Sequence, residues 1–217
     1  MCFSASASFG AGIILSTIGV ITIKKVKQPK DYLFASIPFL FAIQQVSEGI
    51  LWLIIPNNDY LLLQNILAHI FIFFAQVFWP FLVPLAIMLF DKKKSRTIYQ
   101  KSLVIIGFLC ASYFGYCLLF YPIKAEIIGH HVFYRQFYPT TLLYASIVFY
   151  GLAILIPPFI SHSKKMWILG LASLISFSIS AFFYKEFLIS VWCFFASIIS
   201  VIIYLVINEK EKLNQKL

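Results

Sequence analysis

The fold is decided by residues 61–90, which read LLLQNILAHIFIFFAQVFWPFLVPLAIMLF. This stretch contains no Asp, Glu, Lys or Arg, so a lipid bilayer suits it better than water. As a helix it would be about 45 Å long, which exceeds the roughly 30 Å hydrocarbon core of a bilayer. Pro80 and Pro84 predict a kink, and a bend at Trp79-Pro80 would leave room for a cavity. The alternative is a helix that tolerates its prolines and simply tilts.

Six further apolar runs accompany this one, and together they predict an all-α integral membrane bundle of seven transmembrane helices. A spanning helix needs about 20 mainly apolar residues. Hydrophobic residues make up 61% of the 217-residue chain and charged residues only 12%, about half the charge of a typical soluble domain. The predicted runs are 9–23, 33–55, 61–90, 102–120, 140–160, 166–184 and 188–207.

Basic residues alternate between the loops and predict the orientation. The loops after the first, third and fifth runs and the C-terminal tail hold 14 of the 17 Lys and Arg residues. Because basic loops stay in the cytoplasm, the N-terminus is predicted outside and the C-terminus inside. Residues 1–207 then form one domain in a bacterial cytoplasmic membrane, and residues 208–217 form a short charged tail. The net charge of +9 has the same origin, so the composition favours a lipid bilayer and no nucleic acid as partner.

Polar residues occur at matching depth in the second and third runs. Gln44, Gln45 and Glu48 share one helix face at spacings of three and four residues. His69 and Gln76 share a face of the next helix. Glu48 and His69 would both lie about 10–12 Å inside the outer edge of the membrane. We therefore predict that these two side chains are hydrogen-bonded neighbours, directly or through one water or ion.

An ionised carboxylate inside a membrane is costly, and such groups are functional by default. Glu48 and His69 therefore predict a proton-relay, metal or polar-ligand site. The alternative is an interhelical hydrogen bond worth about 0.6–2 kcal/mol that only holds the helices together, and this reading is favoured for Gln76 alone. His130, in the longest outer loop, would complete a ligand set that zinc accepts. Glu48, His69 and His130 are thus candidate metal ligands, and a divalent metal such as zinc is the candidate cofactor.

Three further candidates lie near the predicted outer face. They are Cys2 before the first helix, and Trp192 and Cys193 one turn into the seventh. With Glu48, His69, Gln44 and Gln45 they form the predicted ligand-binding set. Each also has a simpler explanation, because Trp near a helix end is typical of the interfacial belt and membrane cysteines mostly act as small packing residues.

Several segments resemble an uncharacterised family of small bacterial polytopic membrane proteins. The resemblance spans most of the chain and implies a multi-pass membrane protein with no assigned activity. It also implies that Cys2, Glu48 and Trp192-Cys193 belong to one family pattern. The segments are MCFSASASF at residues 1–9, Gln44-Gln45 with Glu48-Gly49 and Trp52, Trp79-Pro80, and Ser190-Val191-Trp192-Cys193.

The sequence carries no catalytic or transport signature, so it predicts function only in outline. The favoured function is binding of a small ligand or metal in an outward-facing polar pocket between helices 2, 3 and 7. One alternative is an intramembrane metal-dependent enzyme that acts on a lipid. Another is a small transporter with Glu48 as the coupling proton site. A bound metal would favour the enzyme, a pH-driven flux the transporter, and an apolar pocket a binding or sensing role.

Overall fold

The computed structural model describes residues 4–91, 97–139 and 142–214, and this part of the chain is mostly helical. The helices are α1 (Ala5–Lys25), α2 (Tyr32–Ala35), α3 (Ile37–Ile54), α4 (Leu61–Ile72), α5 (Trp79–Phe90), α6 (Ile98–Phe120), α7 (Leu143–Leu155), α8 (Met166–Phe183), α9 (Leu188–Phe194) and α10 (Ala196–Asn214).

Five stretches of the described chain are long and apolar enough to cross a membrane. This supports a multi-pass membrane protein, while the count of seven spans and the orientation stay predictions. The five stretches are Ala5–Lys25, Pro29–Ile54, Asn58–Phe90, Ile98–Phe120 and Met166–Phe183.

The remaining two predicted runs contain α7 and the pair α9 and α10. Helix α7 covers 13 residues, and the Pro157-Pro158 pair follows its end. Proline lacks the backbone N–H of a continuing helix and disfavours the helical conformation of the residue before it. The seventh run is divided by a tight turn in which the Phe195 N–H donates to the Trp192 carbonyl at 3.1 Å. Helix α10 then continues past the predicted boundary at residue 207 to Asn214.

A β-hairpin between α6 and α7 corrects the all-α prediction. Strands β1 (Ile123–Ile128) and β2 (His131–Gln136) pair antiparallel. Gly129 has a φ of 61°, a left-handed conformation that glycine adopts without steric cost, as a two-residue hairpin turn requires. The hairpin packs on the helices, and the ring of Tyr134 stacks on that of Phe71 with centroids 4.6 Å apart. The segment that is predicted from the sequence as an outer loop therefore contains a β-hairpin that packs on the helices.

The third apolar run forms a single helical rod that contains a π-helical segment, Phe73–Phe78, between α4 and α5. In a π-helix the backbone hydrogen bonds join residues that are five apart. Accordingly, the Trp79 N–H donates to the Phe74 carbonyl. Pro80 has no N–H to continue this register, so the Ala75 carbonyl lacks a backbone donor. The Tyr150 hydroxyl from α7 donates to that carbonyl at 2.6 Å. The proline therefore widens the helix locally and binds it to a neighbouring helix.

Helix α6 packs closely against this proline-containing rod at Gly107. Pro84 cannot donate to the Pro80 carbonyl, because it too lacks an N–H. A Cβ at position 107 would collide with that carbonyl oxygen. Glycine is thus required at this helix crossing.

Two buried carboxylates connect separate segments of the chain at the predicted inner surface. Asp91 accepts hydrogen bonds from Gln100 Nε2 at 2.6 Å and Ser161 Oγ at 2.9 Å. Asp31 is fully buried and accepts from Lys210 Nζ at 2.7 Å. The end of α10 is thereby attached to the segment before α2, and residues 208–214 of the predicted charged tail belong to this helix.

Candidate functional site

Gln44 uses both ends of its amide to connect α3 with the third helical rod. Its Oε1 accepts a hydrogen bond from Trp79 Nε1 at 3.0 Å, and its Nε2 donates to the Phe71 carbonyl at 3.3 Å. The Trp79 ring also stacks on Phe41 with centroids 4.0 Å apart. Gln44 is fully buried. This geometry is that of an interhelical bridge.

Glu48 lies one turn further along the same face and is fully buried. Its Oε1 accepts a hydrogen bond from Ser190 Oγ at 2.7 Å. The pair joins α3 to α9, and the two residues are 142 positions apart in the sequence. Gln45 is also buried, and its Nε2 has no hydrogen-bond partner within the described part of the chain.

The predicted metal ligands lie in different surroundings. His69 Nδ1 donates to the Asn65 carbonyl of its own helix at 2.8 Å. His130 is exposed at the hairpin turn. Among the residues that the structure describes, no three His, Cys, Asp or Glu side chains are grouped closely enough to hold a metal ion. The structure therefore does not bring Glu48, His69 and His130 together as zinc ligands.

The remaining predicted candidates are described unequally. Cys2 lies outside the described residues, and so does the side chain of Cys193, although its backbone belongs to α9. Trp192 is half-buried, and its Nε1 donates to Ser176 Oγ on α8 at 3.0 Å. Its ring lies 6.1 Å from that of Tyr150.

A cavity lies between the helices of the bundle. Its volume is about 510 Å³, and most of the side chains that line it are apolar. They come from every described helix except α1 and α4, and the polar positions among them are Gln76, Trp79, Gln136, Tyr150, Ser173, Lys185, Glu186 and Trp192.

The cavity is elongated along the helix axes. On α7 the lining residues run from Leu143 to Ile154, which corresponds to about 17 Å at the helical rise per residue. Lys185 and Glu186, in the loop before α9, line one end of the cavity, and both are exposed. Gln136, at the base of the β-hairpin, completes this end. The cavity is thus mainly apolar and has polar and charged side chains at one end, which we call its mouth.

Of the predicted ligand-binding residues whose side chains are described, Trp192 lines this cavity, whereas Gln44, Gln45, Glu48 and His69 do not. The sequence predicts the last four as binding residues because polar groups are costly in lipid. For Gln44 and Glu48, that cost is offset by the hydrogen bonds to neighbouring helices.

Two cavity residues, Gln76 and Gln136, are not predicted as binding residues from the sequence. Gln76 was interpreted as a simple interhelical contact, and its Nε2 does donate to Gln136 Oε1 at 3.0 Å. Gln136 lies in the hairpin, which the sequence analysis did not predict. The one available signal was Trp79-Pro80, for which a bend beside a cavity was an expected outcome, and Trp79 lines the cavity.

The chain matches the family described as "Family of unknown function (DUF6629)" over residues 1–216. It belongs to that family, which confirms the resemblance to an uncharacterised family. Comparison with curated proteins and with solved structures gave no match.

Proposed function

We propose that this membrane protein binds one elongated apolar or amphipathic molecule, such as a lipid or a lipid-like metabolite, in the cavity between its helices. The observation that carries the proposal is the cavity itself. Its volume of about 510 Å³ falls in the range of about 300–1,000 Å³ that is common for small-molecule sites. Its mainly apolar wall favours an apolar ligand, because burial of apolar surface is the main driving force there.

The position of the cavity supports entry from the bilayer as well as from water. Ile147 lines the cavity, and 51% of its surface is exposed. In a membrane, this part of α7 would contact acyl chains, so an apolar ligand would reach the cavity without crossing water. The exposed Lys185 and Glu186 at the mouth suit a polar end that remains near the aqueous phase.

The mainly apolar lining favours ligand binding over the two alternative functions, a metal-dependent enzyme and a proton-coupled transporter. A lipid-modifying metalloenzyme needs metal ligands beside its substrate, and a proton-coupled transporter needs its titratable group on the ligand path. Glu48 and His69, the groups expected to serve those roles, are absent from the described lining of the cavity. An apolar ligand site requires neither of them.

Gly151 provides a direct test. It lines the cavity, and a Cβ at this position would meet no heavy atom within 4 Å. Gly151→Leu should therefore fill space in the cavity without a clash, and it should also favour the helix by about 1 kcal/mol. Gly10→Leu is the matched control, because a Cβ there also meets no atom within 4 Å and Gly10 does not line the cavity.

The measurement is solvent extraction of the purified protein followed by mass spectrometry. Wild type and Gly10→Leu should carry the same apolar molecule in a fixed ratio to the chain. Gly151→Leu should carry about tenfold less, as a loss of about 1.4 kcal/mol in binding would produce. Equal amounts in all three proteins would refute the proposal, since lipid that merely coats the helices is indifferent to position 151.

A further inference from the structure

Two side-chain amides on the cavity wall form one hydrogen bond with each other, and they have further donor and acceptor groups. Gln76 Nε2 donates to Gln136 Oε1. The other two polar atoms, Gln76 Oε1 and Gln136 Nε2, are shielded from solvent and have no partner among residues 4–91, 97–139 and 142–214. Both side chains line the cavity. An unsatisfied buried polar group costs about 1–3 kcal/mol, so a ligand that bonds these atoms would relieve that cost.

We propose that this amide pair is the head-group site of the ligand, and that it selects an uncharged group with both a donor and an acceptor. This inference rests on the proposed function of the cavity. The free Oε1 needs a donor and the free Nε2 needs an acceptor. A hydroxyl or a primary carboxamide supplies both. If the oxygen and nitrogen positions are exchanged in both amides, the pair still has one free donor group and one free acceptor.

Charged head groups fit this pair less well. A carboxylate only accepts hydrogen bonds and an ammonium only donates them, so each would leave one amide atom unsatisfied. Burying a charge in an apolar wall adds a further cost. Lys185 and Glu186 at the mouth carry opposite charges and therefore favour neither sign of ligand.

The local backbone explains why Gln76 is available to a ligand. It lies in the π-helical segment, a feature that frequently occurs at functional sites. The adjacent Ala75 carbonyl, which Pro80 deprives of a donor, is already satisfied by Tyr150. The backbone next to Gln76 is thus paired, whereas the Gln76 Oε1 acceptor has no partner among the described residues.

The experiment compares four probes with the same alkyl chain in nanodiscs that contain the full-length protein. Dodecanol presents a donor and an acceptor, its methyl ether an acceptor only, dodecanoate a charge, and dodecane the tail alone. Affinities are measured by displacement of a brominated alkane that quenches tryptophan fluorescence. Dodecanol should bind about tenfold more tightly than the ether and dodecanoate.

Two variants locate that preference. Gln76→Met and Gln136→Met keep the side-chain length but remove the amide, so either one should reduce the preference for dodecanol over the ether to near unity and leave dodecane binding intact. If one of them fails to fold, the other gives the same readout. Gln28→Met, at a partly exposed glutamine outside the cavity, should keep the full preference.

The outcomes separate this inference from the proposed function. If wild type binds none of the four probes saturably, the proposed function fails. If all four bind equally, or if dodecanoate binds best, the cavity remains a binding site and the head-group inference is overturned. Retention of the preference for dodecanol in both methionine variants would overturn it as well.

Discussion

Gln44 and Gln76 are two glutamines inside one helix bundle, but their amides are used differently. Gln44 donates to the Phe71 carbonyl and accepts from Trp79, so both ends of the amide are occupied by protein. Gln76 donates to Gln136 and lines a cavity, and its oxygen has no partner within the part of the chain that the structure describes. The first residue holds helices together, and the second has bonding capacity left for a ligand.

The difference shows what a polar residue in an apolar run does and does not indicate. The cost of burial requires such a residue to find a partner, but the partner can be another part of the same protein. A ligand site is distinguished by an unsatisfied polar atom next to empty space. That combination depends on how the helices pack, and the sequence of one helix does not contain it.

The largest expected effect is on stability when Gln44 is replaced. Gln44→Leu would leave the buried Trp79 N–H without its acceptor, at about 1–3 kcal/mol, and would also remove the hydrogen bond from Gln44 to the Phe71 carbonyl. Gln76→Leu should cost less, since it removes its own unsatisfied oxygen and deprives only one partner atom, Gln136 Oε1, of a hydrogen bond. Thermal unfolding in the same detergent compares the two. A loss for Gln76→Leu as large as that for Gln44→Leu would break the contrast.

A second prediction concerns Glu48. Glu48→Ala removes the acceptor of the Ser190 hydroxyl and should cost about 1–3 kcal/mol, whereas Glu48→Gln keeps an acceptor and should unfold near the wild-type temperature. Neither variant should change the amount of bound apolar ligand, because Glu48 does not line the cavity. Lower ligand content in Glu48→Gln at an unchanged melting temperature would restore Glu48 to the functional site.

A third prediction concerns the hydroxyl of Tyr150. Tyr150→Phe keeps the ring on the cavity wall but deprives the Ala75 carbonyl of its donor, so the free energy of unfolding should fall by about 1 kcal/mol. Tyr144→Phe serves as the control, because Tyr144 is 77% exposed and should unfold as wild type does. Equal melting temperatures for both variants would show that the π-helical segment does not need this hydrogen bond.

The smallest expected effect is a pH dependence at the hairpin. His131 stacks on Phe187 with ring centroids 4.4 Å apart. Burial, and next the neighbouring His130, lower the pKa of His131 below its usual 6.5. The unfolded chain therefore binds the proton more readily, and this contribution to stability is complete above pH 6.5 and declines as the pH falls below it.

His131→Phe preserves the stacked ring and removes the titration. Its melting temperature should fall less than that of wild type between about pH 7 and pH 5. His130→Phe, at an exposed position, is the matched control and should retain most of the wild-type decline. If His131→Phe and wild type decline equally, His131 does not contribute to the pH dependence.

The positions of the helices could be predicted because lipid imposes long apolar runs. The third run was predicted at 61–90, and the helical rod covers Leu61–Phe90. The β-hairpin could not be predicted in this way, since its stability comes from contacts such as Tyr134 on Phe71 with a distant helix. The division of the seventh run at Phe195 is likewise a local turn within uniformly apolar sequence.

The candidate site was predicted only in part. The argument from burial found polar residues that are indeed buried, Gln44 and Glu48 among them. It did not identify Gln136, because the function inferred for that residue depends on the folded hairpin reaching Gln76. Only Trp79-Pro80 gave an early sign of the cavity, through the effect of a proline on helix packing.

The central claim is that the cavity holds an apolar ligand, and tryptophan fluorescence tests it most directly. Trp79 and Trp192 both line the cavity, so a brominated dodecanol that enters it should quench their emission. We expect saturable quenching in wild type and in Gly10→Leu, and an affinity about tenfold lower in Gly151→Leu. Quenching that rises linearly with the probe in the membrane, and equally in all three proteins, would contradict it.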